Sequence, residues 1–180
     1  GRLGKNTVED VLGYVKAADQ LNVALNDLGN GATQAMAKVT EIFGVEAKLG
    51  TEQSLLAVGS TINVLSQNCS AGKAYLSEFT QRMAGVGAQA KMTVPEIMAF
   101  AAVLDTQGQK VEASATALSK LITDVFKEPQ KFATALGVSL DEFKGKMSNT
   151  TEGLLWMFET MQRTGGIHKL APLLKEMGEN

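Results

Sequence analysis

A chain of 180 residues with 17 basic and 19 acidic side chains, net charge −2, shows no basic stripe of the kind that phosphate backbones require. Its 44% hydrophobic content argues against wholesale disorder, and its longest apolar run, Ile97–Leu104, is far short of the roughly 20 residues of a membrane span. Nucleic-acid binding and membrane crossing by this segment are therefore not expected.

Aromatic residues make up only 6%, while Ala, Gly and Met are plentiful, which favours thin, closely packed helices over a thick aromatic core. In chain order, the apolar residues step by three and four. Val8, Val11, Val15 and Ala18 predict a first helix with these residues as its packing stripe. Gly29-Asn30-Gly31 follows as a break, and Gly44 and Gly50 bracket a short charged connector. Leu55, Val58, Ile62 and Leu65 mark the next stripe, and Leu76, Phe79, Met83 and Val86 the one after. Gly85 and Gly87 are expected to loosen the chain before Lys91, leaving room for a looser subdivision near residues 85–92.

Thr93-Val94-Pro95-Glu96 reads as a capping box. In such a box the Thr oxygen and the Glu carboxylate satisfy backbone N–H groups that a helix start leaves unpaired. It opens onto Ile97, Phe100, Ala101 and Leu104, and Gly108 closes the helix. Ala115, Leu118, Ile122 and Val125 form the following stripe, and Gly137 ends a short helix after Pro129. Ser139-Leu140-Asp141-Glu142 repeats the capping pattern ahead of Phe143 and Met147. Gly165-Gly166 separates the last long helix from a C-terminal one carrying Leu170, Leu173, Leu174 and Met177, a stripe expected to stay partly exposed and to favour association.

No sustained period-two run rich in Val, Ile and Thr occurs, so a sheet is not expected. The pattern predicts an all-α fold: a compact multi-helix domain over residues 1–180, with roughly eight or nine short to medium helices joined by short loops. The glycine breaks exclude one long coiled coil, and the two caps lie too far apart to define a repeat.

Residues able to do chemistry are sparse. Cys69 is the single cysteine, which forbids an intrachain disulfide and points to a reducing compartment. It sits in a polar stretch, Gln67-Asn68-Cys69-Ser70, expected to be a loop, and reads as an incidental thiol. His168 is the single histidine and has no partner from which to build a metal cluster or a nucleophile pair. Asn68-Cys69-Ser70 and Asn149-Thr150-Thr151 match the glycosylation pattern, read as chance in the absence of a secretory signal. Gly85-Val86-Gly87-Ala88-Gln89-Ala90 fits a dinucleotide fingerprint, but that loop needs a preceding strand, and an amphipathic helix precedes it. The acidic pairs Glu9-Asp10 and Asp141-Glu142 fall in first helical turns, where carboxylates favour the positive helix end. Met83, Met92, Met98, Met147, Met157, Met161 and Met177 lie mostly on apolar stripes and read as core. No residue is assigned a catalytic, cofactor-binding or metal-binding role.

Four strings in order carry a resemblance: Ala17-Ala18-Asp19-Gln20-Leu21-Asn22-Val23-Ala24-Leu25 with Asp27-Leu28-Gly29 and Ile42-Phe43-Gly44; Leu55-Leu56-Ala57-Val58-Gly59-Ser60-Thr61-Ile62-Asn63 running into Tyr75-Leu76-Ser77-Glu78-Phe79-Thr80; Met92 to Gly108 with Ala115-Thr116-Ala117-Leu118-Ser119; and Phe132-Ala133-Thr134-Ala135-Leu136-Gly137-Val138-Ser139-Leu140-Asp141-Glu142-Phe143. Together they resemble the tail tape measure proteins of long-tailed bacteriophages and prophages, the TP901-like minor tail family, over nearly the whole chain.

The resemblance implies a non-enzymatic virion component that lies in the lumen of the tail tube, sets tail length during assembly in the host cytoplasm and leaves ahead of the genome. Its implied partners are further copies of itself, the tail tube, assembly chaperones and the baseplate, with an oligomer in the intact virion. Both ends of the chain, Gly1-Arg2-Leu3-Gly4 and Lys175-Glu176-Met177-Gly178-Glu179-Asn180, read as cuts within a longer protein. The competing reading is a soluble helical adaptor that holds a partner helix in a groove lined by Met83, Met98 and Phe100.

Overall fold

In the computed structural model, residues 8–24 and 31–164 are described, and among them every regular element is a helix. The order is α1 (Val8–Ala24), α2 (Ala32–Ile42), α3 (Val45–Leu49), α4 (Thr51–Cys69), α5 (Lys73–Gln89), α6 (Val94–Thr106), α7 (Val111–Lys127), α8 (Pro129–Leu136), α9 (Leu140–Lys146) and α10 (Thr150–Arg163). The all-α reading holds. The short charged connector between Gly44 and Gly50 turns out to be the five-residue helix α3. The Gly165-Gly166 break and the stripe from Leu170 to Met177 lie outside the described residues.

The chain gathers into two compact units, one taking Gly1–Gln89 and Thr93–Ala117, the other Ala90–Met92 and Leu118–Asn180. In the first unit α4 is the common neighbour, packed by α1, α2, α3, α5 and α6. Its core joins Leu55 and Ile62 of α4 to Leu76, Phe79 and Met83 of α5, Ile97 and Met98 of α6 and Met36 of α2, all fully buried. Each such side chain contributes roughly 1.5–3 kcal/mol by leaving water. Thr80 and Ser54 are buried on the same helices without stranding a hydroxyl: Thr80 Oγ1 donates to Leu76 O at 2.7 Å and Ser54 Oγ to Thr51 O at 3.0 Å.

In the second unit α8, α9 and α10 pack together around Phe132, Phe143 and Leu154. The Phe143 ring stacks on Phe132 at 6.3 Å between centroids and tilts against Trp156 at 6.1 Å. Lys146 Nζ stands 6.0 Å over the Trp156 ring, a cation–π contact with its face. Thr150 Oγ1 donates to Ala90 O at 2.6 Å, tying the start of α10 to the short stretch between α5 and α6.

Two sequence expectations about α5 and α1 are overturned. Gly85 and Gly87 do not loosen the chain, because α5 runs through both to Gln89. Gly87 is there for space: a Cβ on it would overlap Ile97 Cδ1 of α6 and stand 3.3 Å from Phe43 Cζ. On α1 the stripe Val8, Val11 and Val15 is exposed instead of packed. The helix rests on α4 through Gly13, Ala17 and Leu21, with Leu21 filling the space over Gly59. Gly13 brings α1 close to the start of α4, where Glu52 Cβ stands 3.4 Å from the place of a Cβ, and seating this face turns the valines outward.

The helix starts follow the sequence more closely. Thr93 and Glu96 form the complete capping box, with Glu96 N donating to Thr93 Oγ1 at 3.4 Å and Thr93 N donating to Glu96 Oε2 at 2.6 Å. Thr93→Ala should cost about 0.5–2 kcal/mol in denaturant melts, and an unchanged midpoint would show that α6 starts elsewhere. Ser139 forms half of the second box, accepting from Glu142 N at 3.1 Å. Gly108 and Gly137 close α6 and α8 at φ +71° and +73°, conformations that a Cβ disfavours.

Candidate functional site

Among the described residues, those that could do chemistry do not converge. Cys69 is the last residue of α4, not part of a loop, and its thiol is exposed. His168 lies outside the described residues. Glu9 and Asp10 sit in the first turn of α1, and Asp141 and Glu142 in the first turn of α9, as the helix-dipole argument expects. The Gly85–Ala90 fingerprint lies on helix α5 up to Gln89, so its amides serve that helix and form no phosphate loop. Among the described residues no group of three or more His, Cys, Asp or Glu side chains could hold a metal ion. No helix among them is long and apolar enough to cross a membrane.

Two titratable groups among the described residues depart from their ordinary values. Partial burial raises the Tyr14 hydroxyl above its usual value. Glu128 is held below the usual carboxylate range, chiefly by its hydrogen bond to Lys131 and further by the charges of Lys131 and Lys127. The stabilisation linked to it is present above the ordinary carboxylate range and is lost on acidification, and on so exposed a pair it is screened by solvent. Two buried hydroxyl oxygens, Tyr75 Oη and Thr151 Oγ1, have no hydrogen-bond partner among the described residues, and they belong to different units.

The adaptor groove is not formed. Met83 and Met98 are fully buried in the first unit, so neither side chain can line an open groove, and Phe100 is only half-exposed. Met92, Met147, Met157 and Met161 are buried likewise, in keeping with the core reading of the methionines, while Met177 lies outside the described residues.

What the polar side chains do is start helices. Two of them escaped the sequence reading. Asn149, read there as part of a chance glycosylation pattern, caps α10 by accepting from Glu152 N at 3.2 Å. The Asn-x-x-Glu spacing was a visible signal for it. Asp105, in the last turn of α6, accepts from Gly72 N at 2.6 Å and so caps the start of α5 across 33 residues. No local pattern announces a cap supplied from another helix.

Several large apolar side chains stand exposed among the described residues, and four of them, Val8, Val11, Leu12 and Val15, lie together along α1. A contiguous exposed apolar strip of this kind is a common mark of a protein–protein contact surface. Comparison with curated proteins and with solved structures finds no match. A family model described as phage-related minor tail protein matches residues 3–176. That match spans both units and nearly the whole sequence, and the chain belongs to the phage-related minor tail protein family, a family of phage tail proteins.

Proposed function

We propose that this chain is a segment of a tail tape measure protein, acting in tail assembly and length determination and in genome delivery. It does so without catalysis, in the lumen of the tail tube, after assembly in the host cytoplasm. The observation that carries the reading is the family match over residues 3–176 on a chain whose described residues fold only into helices. The four ordered strings from Ala17 to Phe143 support it further, since they resemble tape measure proteins and not tail proteins in general. Both compact units act as parts of one module, whose partners are other copies of the protein, the tube, assembly chaperones and the baseplate. No side chain is asked to bind nucleic acid, a cofactor or a metal.

A tape measure fixes length through its own length. If the segment is drawn out as helix inside the tube, removing n residues shortens the tail by about 1.5 Å per residue. Excising residues 93–164 in the complete gene and measuring tails by electron microscopy is the test. Tails shorter by roughly 100 Å, rounded to whole rings of the tube, are the expected result. Tails of unchanged length on infectious particles would overturn the reading.

A further inference from the structure

The outward strip of α1 has a geometry that selects its own partner. At about 100° per residue, Val8, Val11, Leu12 and Val15 fall within roughly a third of the helix circumference, opposite Ala17 on the buried side. Along one flank of that strip stand Glu9 and Lys16, both exposed and two turns apart. The strip thus has an acid near one end and a base near the other, on the same edge, with valine and leucine between them.

We propose that this strip is self-complementary, and that a second copy of the chain docks its own α1 on it in antiparallel fashion, about a two-fold axis close to Leu12. Reversal about that point lays Val8 of one copy near Val15 of the other and Val11 near Leu12. In an antiparallel pair each flank meets the same flank of its partner, so Glu9 faces Lys16 of the second copy, and the symmetry makes the pair twice. A parallel pair would bring the Glu9–Lys16 flank against the edge carrying Ala18, leaving both charges unanswered. Charge complementarity therefore chooses both the occupant and its direction.

The helices overlap over about nine residues, well below the roughly 800 Å² per partner of a standard stable interface, so the dimer is weak and forms only at high concentration. The apolar residues supply the attraction, and the rim charges fix the register. The inference rests on α1 alone and stands or falls independently of the tape measure reading.

Sedimentation equilibrium of the 180-residue chain, from micromolar to millimolar concentrations, is the experiment. The unaltered chain is expected to show a monomer–dimer equilibrium. Leu12→Lys should abolish it. Glu9→Lys and Lys16→Glu should each weaken it about tenfold, since each replaces two attractions by two repulsions. An equimolar mixture of those two charge variants should then associate at least as strongly as the unaltered chain, because both rim pairs are restored in the mixed dimer. All three sites are solvent-exposed, and far-UV circular dichroism confirms that each variant keeps its helices. A strict monomer at millimolar concentration would overturn the proposal, as would association that Leu12→Lys leaves untouched or a mixture no stronger than its components.

Discussion

Phe143→Ala should destabilise the protein by about 3–5 kcal/mol, the range for emptying a fully buried aromatic site. The ring is nearly inaccessible and touches both Phe132 and Trp156, so truncation opens a cavity and breaks two aromatic contacts, each worth roughly 0.5–1.5 kcal/mol. α9, on which Phe143 sits, has seven residues, too few to persist in water without its packing. Losing the ring therefore threatens the helix as well as the core. Urea melts followed by circular dichroism measure the loss, with Phe143→Leu as the volume-retaining control expected to cost less. A loss below about 1.5 kcal/mol for the alanine variant would show that this cluster does not organise the second unit.

Gly153→Val is the second large effect, because it runs against helix propensity. In an open helix position, replacing glycine is favourable or nearly neutral, and alanine gains about 0.5–1 kcal/mol. At Gly153 a Cβ would stand 2.9 Å from both Lys146 O and Met147 Cα, backbone atoms at the end of α9 and its C-cap that cannot rotate away. The branched side chain should cost about 1–3 kcal/mol or more through forced backbone movement. Gly145→Ala supplies the contrast, since nothing stands within 4 Å of a Cβ there and propensity alone should stabilise the protein. Thermal melts decide the matter by sign. Equal gains at both glycines would mean that α10 is not seated against the end of α9.

The helices, their glycine closures and the Thr93 cap were legible because each depends on residues within a few positions of one another. The packing face of α1 was not. Its apolar residues occupy two opposite sides, Val8, Val11 and Val15 on one and Ala17 and Leu21 on the other, and periodicity alone favours the bulkier set. The choice was made by α4, whose Gly59 offers a socket that Leu21 fills. The same limit hid the role of Gly87, which is set by Ile97 on a neighbouring helix, and that of Asp105 at the start of α5. Asn149 differs from these. Its spacing to Glu152 was in plain view, and a stronger association with glycosylation obscured it. Kinship with phage tail proteins was legible in the four ordered strings, whereas the exposed strip on α1 needed three-dimensional structure.

The placement of the chromophores divides the molecule for an observer. Trp156 is the single tryptophan and is packed against Phe143 in the second unit, while the two tyrosines, Tyr14 and Tyr75, belong to the first. Light absorbed at the red edge of the protein spectrum is therefore taken up by one core only, and its emission reports that core's solvation without interference from the other. The protein carries an intrinsic label for the smaller of its two units, whose unfolding can be watched on its own without any added dye.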